Sequence, residues 1–135
     1  ALVEKLDGRQ RRRWFHIEAV RKRSDGLPLN WSNIYLLPKY ASVTQWIGQD
    51  TTPVHTLIDR HFDQRPAKVE IDMFAGELSA NSAAKLEVAA GTPALVIVRR
   101  YADADGKYYE ISIIEHPAGR FTYSMELERA WGARD

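Results

Sequence analysis

The 135-residue chain has no cysteine, which excludes a disulfide framework and thiolate chemistry and suits a reducing cytoplasm, the compartment expected here. It has no apolar run near the roughly 20 residues that cross a bilayer, and Ala1-Leu2-Val3-Glu4-Lys5 lacks a secretory h-region. No membrane role is expected. It also lacks a charge excess: at a net +1, phosphate neutralisation cannot dominate binding, so this chain is not expected to grip nucleic acid directly. The one basic cluster, Arg9 and Arg11 to Arg13 with Lys22 and Arg23, reads as a solvated end. What is present is 44% hydrophobic and 27% charged residues, the balance of a single globular domain with one core.

Two stretches of the chain echo each other. Val20-Arg21-Lys22-Arg23 enters Asp25-Gly26, and Val98-Arg99-Arg100-Tyr101 leads to Asp105-Gly106; a serine, Ser32 or Ser112, follows six residues after each glycine. Asp-Gly between β-prone runs predicts a hairpin, because glycine accepts the positive φ of a tight turn. Two similar hairpins are expected.

Between them, Thr51 or Thr52 can cap a helix that begins at Pro53, with Val54, Leu57, Ile58 and Phe62 as its apolar stripe. Lys68, Glu70 and Asp72 then alternate with Val69, Ile71 and Met73, which predicts a strand with one core face and one wet face. Ser79 can start a short helix through Ala83, Ala84 and Leu86, ended by Gly91 and Pro93. Strands are expected from Leu95 to Tyr101, Tyr108 to Glu115 and Phe121 to Leu127, as an antiparallel meander. The order predicts an α+β domain in which helices cover one antiparallel β-sheet. Trp14, Trp31, Trp46 and Trp131 read as packing residues, with Trp46 anchoring a short helix near a pocket mouth.

Alternation along the next-to-last strand sends Glu110, Ser112 and His116 to one side and Tyr109, Ile111 and Ile113 to the other, where the core is expected. Arg99 and Tyr101 share a face of the preceding strand, so a cation, a phenol, a carboxylate, a hydroxyl and an imidazole can converge on a polar metabolite. The same pattern also fits a watered sheet face on which Arg99 and Glu110 form an exposed cross-strand pair. His55 and His61, six apart, do not make an i, i+4 metal pair, and no histidine or carboxylate cluster has zinc spacing. No catalytic residue, metal or cofactor is predicted.

From Leu86 to Leu127 the chain resembles the UTRA domain of the HutC branch of GntR-family transcriptional regulators. The resemblance is carried by Gly91-Thr92-Pro93, an apolar strand ending in Arg99, Asp105-Gly106, Glu110-Ile111-Ser112, and Arg120-Phe121 running into Met125-Glu126-Leu127. Asp25-Gly26 with Pro28, then Tyr35 and Pro38, are similar to the family's opening. The resemblance implies a chorismate-lyase-like fold whose pocket, beside the sheet, takes a small-molecule effector. It implies that the Arg99, Glu110 and His116 positions line that pocket, and the matching first hairpin suggests Ser32, Asn33 and Tyr35 beside them; Tyr101 and Ser112 join the expected effector-binding set from their shared strand faces. It further implies a homodimer that reaches DNA only through an N-terminal winged helix-turn-helix. Residues 1–13 are read as a linker from that missing half and 14–135 as the effector domain. Two other functions stay open at this stage: a lyase of the same fold acting on a small carboxylate, and a dimerisation module with a vestigial pocket.

Overall fold

In the computed structural model, which describes residues 13–129, both Asp-Gly segments are turns with the same wiring. Arg23 N donates to Leu27 O and Gly26 N to Arg23 O; likewise Asp103 N donates to Lys107 O and Gly106 N to Asp103 O. Gly26 and Gly106 sit at φ 90° and 78°, where a β-carbon would strain the backbone. The echo seen in the sequence is therefore an echo of backbone structure.

The elements in chain order are β1 (Phe15–Lys22), β2 (Pro28–Leu36), a 3-10 helix (Pro38–Gln45), α1 (Val54–Phe62), β3 (Lys68–Glu77), α2 (Ala80–Leu86), β4 (Pro93–Ala102) and β5 (Tyr108–Pro117). They form one α+β unit around a five-stranded sheet of order β1-β2-β5-β4-β3, antiparallel throughout. The two hairpins meet through their second strands, β2 against β5. Among the described residues, no helix is long and apolar enough to cross a membrane.

That topology overturns the three-strand meander. Residues 121–127 form no strand, because β2 and β4 already occupy both edges of β5 and leave no place beside it.

The helices divide between the two faces of the sheet. Val54, Leu57 and Ile58 of α1 are buried with Leu36, Tyr40, Val43, Tyr101 and Tyr109, so the predicted stripe is the one used. Phe62 stays at its margin, edge-on to Tyr40 at 5.1 Å between ring centroids. The predicted threonine cap is absent: Pro53 is the N-cap, and its carbonyl accepts from Thr56 N and Leu57 N. Ser79 does cap α2, its hydroxyl accepting from Ser82 N at 3.2 Å. On the opposite face, Ala83 and Leu86 of α2 pack with Trp31, Leu78 and Ala94. Trp46 follows the 3-10 helix and stacks on His61 at 3.6 Å.

Two expectations about faces need correction. Tyr109 does not share the side of Ile111 and Ile113: the β4–β5 register runs Tyr101↔Glu110 and then Ala102↔Tyr108. Tyr109 is the extra residue of that irregularity, which turns it into the α1 cluster. In β3, Val69, Ile71 and Met73 were expected to face the core, yet they are 40%, 48% and 47% exposed. The helix that would cover them lies over β2, β4 and β5 instead, and β3 is an edge strand.

These burials predict a sharp contrast between two isoleucines. Ile58→Ala removes a fully buried side chain and should cost about 2–5 kcal/mol, whereas Ile71→Ala at the open edge should cost less than about 1 kcal/mol. Urea denaturation of both variants checks it; equal losses would contradict the placement of α1.

Candidate functional site

The antiparallel register decides which side chains meet. Arg99 lies opposite Ser112 and Tyr101 opposite Glu110 across β4 and β5, while β2 sets Ile34 opposite Ser112 from the other side. Above them sits the start of α1. Together they enclose a cavity of about 440 Å³, walled by Thr52, Pro53, Val54 and His55 on one side and by Ile34, Arg99, Tyr101, Glu110, Ser112 and Ile114 on the other. Asp50 shapes the approach to the helix, its Oδ1 accepting from Thr52 N at 2.8 Å.

Glu110 is the most unusual group in this cavity. It is 3% exposed, and its Oε1 has no hydrogen-bond partner among the described residues. Burial raises its pKa to about 8, against an opposing pull from Arg99. At neutral pH the carboxyl is thus mostly protonated, able to donate as well as accept, and able to pass its proton to a basic ligand. Burial, then the Glu110 charge, pushes the Tyr101 phenol up to about 12, so Tyr101 is a neutral donor. His55 stacks on Tyr101 at 5.0 Å between centroids; burial first and Arg99 second lower its pKa, with Asp59 opposing. The imidazole therefore enters as a largely neutral plate. Arg99 supplies a cation, and the hydroxyls of Ser112 and Thr52 supply adaptable partners.

Of the eight residues singled out in the sequence, Arg99, Tyr101, Glu110 and Ser112 line this cavity together. His116 is buried further along β5 and outside the lining, stacked on Phe121 at 3.8 Å. Burial and Arg99 lower its pKa, and its Nδ1 has no partner among the described residues. Ser32 pairs with Ile114 but does not reach the lining. Asn33 and Tyr35 lie away from it, lining a second cavity of about 480 Å³ on the other face with Val96, Val98 and Ile113. Both are tied to β1 through His16, whose Nε2 donates to Asn33 Oδ1 at 2.8 Å and whose ring stacks on Tyr35 at 4.5 Å. The alternative of an exposed Arg99–Glu110 pair fails, since Glu110 is buried and faces Tyr101 rather than Arg99.

The lining residues missed were Ile34, Thr52, Pro53, Val54, His55 and Ile114. A signal existed for Thr52 and His55: polar residues at the start of a helix, where backbone N–H groups lack partners, are natural ligand neighbours.

The profile of the UTRA domain family matches residues 1–122. The HTH-type transcriptional regulator Rv0792c of Mycobacterium tuberculosis (strain ATCC 25618 / H37Rv) is 28% identical over 112 residues, covering 81% of this chain and 42% of that protein. The chain thus spans less than half the length of this curated relative. Among solved structures, the C-terminal domain of the histidine utilization repressor from Pseudomonas syringae pv. tomato DC3000 superposes with a TM-score of 0.71 at 22% identity, covering 91% of this chain and 84% of that one. The ligand-binding domain assigned to a GntR-family transcriptional regulator of Bordetella bronchiseptica gives a TM-score of 0.69 at 15% identity, covering 85% and 72%. These likenesses establish the fold.

Glu110 makes a pH signature. Its folded pKa, about 8, exceeds the ordinary value of 4.5, so the folded chain holds a proton that the unfolded chain releases. Its contribution to stability is fully present below about pH 4.5 and is lost as pH rises through about 8. Denaturation midpoints measured from pH 5 to 9 should fall in the wild type and fall less steeply in Glu110→Gln. Parallel curves would show that Glu110 is ionised throughout.

Proposed function

Because the chain belongs to the UTRA domain family, we propose that it is the metabolite-sensing domain of a bacterial GntR/HutC-type transcriptional regulator, with its effector site in the cavity between α1 and the sheet. The observation that carries this reading is Glu110: a carboxyl buried on a central strand, with one oxygen unsatisfied, beside a cation and several hydroxyls in one hollow. Leaving such a group without a partner costs about 1–3 kcal/mol or more, and a ligand that supplies the partner recovers that cost.

In this reading Arg99 clasps an anionic group of the ligand, while Glu110, Tyr101, Ser112 and Thr52 take its polar hydrogen-bonding groups. His116 lies beyond the cavity wall, and with its pKa lowered by burial and by Arg99 it has no charged part at this cavity. Ser32, Asn33 and Tyr35 have no direct part at this cavity. The domain binds without turnover, needs no metal or cofactor and works in the cytoplasm. The sensing unit is residues 14–135, with residues 1–13 as the linker. It acts as a homodimer, and DNA is read by a winged helix-turn-helix that precedes it in the longer protein. An effector that binds one arrangement of the pair better than the other shifts their populations, which is how occupancy reaches the DNA. The relative being a regulator favours binding over the lyase reading.

A thermal-shift panel of phosphosugars, amino acids, imidazole acids and aromatic acids tests the site. A true effector at a hundred times its Kd should add about 2.7 kcal/mol of stability. Arg99→Ala should weaken it by roughly 1.5–3 kcal/mol, the value of a charged hydrogen bond, while leaving the unliganded fold intact. A ligand that binds Arg99→Ala and Glu110→Gln as tightly as wild type would place the effector elsewhere.

A further inference from the structure

We infer that two copies of this chain pair by exchanging their C-terminal segments, so that residues 121–127 of each copy lie antiparallel along the outer edge of the other's β3. The inference rests on the homodimer proposed above and assigns its surface.

Each half of this contact lacks what the other has. β3 is ten residues long and pairs only with β4 among the described residues, leaving a long edge of backbone donors and acceptors, which proteins rarely leave uncovered. Its Val69, Ile71 and Met73 present an exposed apolar row on that edge. Residues 121–127 alternate as a strand should, with Phe121, Tyr123, Met125 and Leu127 apolar and Thr122, Ser124 and Glu126 polar. Yet they form no strand, and exposure climbs from 40% at Phe121 to 85% at Leu127. Four large apolar side chains on a period of two, the first stacked on His116 and the next three progressively more exposed, are a code for a partner outside the single chain.

Charge picks the register. Setting Phe121 opposite Met73 and Tyr123 opposite Ile71 places Met125 opposite Val69, all on one face. On the other face the same register places Thr122 against Asp72, Ser124 against Glu70 and Glu126 against Lys68. Hydroxyls meet carboxylates and the one charged pair is of opposite sign. Sliding the segment by two residues to set Tyr123 against Met73 would instead oppose Glu126 to Glu70.

Geometry favours the other copy's β3 over the chain's own. Arg120 donates to Pro28 O at 2.8 Å and to Leu86 O at 2.6 Å, and Phe121 stacks on His116 of β5. The segment therefore leaves over β5, two strands or about 10 Å from its own β3, and would spend about three residues crossing before it could align. Exchange about a twofold axis forms the contact twice and closes it. The β3 edge and the segment hold 17 residues per copy, fewer than the roughly 20–30 residues a side of a standard interface, so this is a small contact that closure about the twofold axis makes twice.

The chain has no cysteine, so introduced thiols are the only ones. Ile71→Cys and Tyr123→Cys, each a single variant at an exposed position, should form a disulfide-linked heterodimer when mixed under mild oxidation. Mixed Ile71→Cys and Glu126→Cys, out of register, should not. In addition, Ile71→Glu should raise the dimer dissociation constant at least tenfold by light scattering without changing the circular dichroism spectrum. A double variant Ile71→Cys/Tyr123→Cys that closes its disulfide within one chain would overturn the inference in favour of an intramolecular strand. A wild-type dimer that neither cross-links nor responds to Ile71→Glu would overturn this surface while leaving the pairing intact. A wild-type monomer would overturn both.

Discussion

The contact on which the rest of the structure depends is the pairing of β2 with β5, six residues in register from Trp31↔Glu115 to Leu36↔Glu110. A two-stranded hairpin is at best marginal in water, and this seam turns two of them into one sheet. It also makes β5 an interior strand. A side chain on an interior strand under a helix cannot swing out to solvent, and this is why Glu110 is buried although nothing in its own residue type asks for it. The electrostatics of the cavity follow from topology: an acid held out of water keeps its proton, a phenol beside it keeps its own, and Arg99 is the counterweight to both.

What was legible in the sequence was local. Asp25-Gly26 and Asp105-Gly106 announced their turns because the conformation a tight turn demands is written in two residues. Val54, Leu57 and Ile58 announced the buried side of α1 for the same reason, period and burial being properties of one short segment. Alternation likewise brought Arg99, Tyr101, Glu110 and Ser112 to one place. What failed was non-local. Alternation in Val69, Ile71 and Met73 correctly marks a strand but cannot say what covers it, and residues 121–127 carry a strand pattern without a free neighbour. Ser32, Asn33 and Tyr35 on β2 cannot all face one hollow, since successive side chains point to opposite sides; the register with β5 is what sends Asn33 and Tyr35 away. Thr52 and His55 joined the site through the docking of α1, which no window of sequence contains.

The same cavity is where the fold departs from its own rules. On the other face Trp31 Nε1 is buried without a partner among the described residues, but the charged and hydroxyl groups there are matched: Ser82 donates to Glu115, Arg100 to Asp72, Tyr108 to Glu70. In and beside the cavity, Glu110 Oε1, Tyr109 Oη and His116 Nδ1 are buried without partners among the described residues. Such groups weaken a fold that gains nothing from them, so the presence of three of them around one hollow marks the region where stability yields to recognition.

Arg120 ties three distant parts of the chain to one guanidinium: the exit from β5 on which it sits, the first residue of β2 through Pro28 O, and the end of α2 through Leu86 O. Carbonyls at a helix end and a strand start are both left over by regular structure, and here one planar cation serves as their common rivet. A rigid joint of this kind sets the angle at which everything after it departs. The trajectory of the last residues is therefore governed by the sheet and α2 as a unit, and any shear between β2 and β5 would be read out as a swing of that trailing arm.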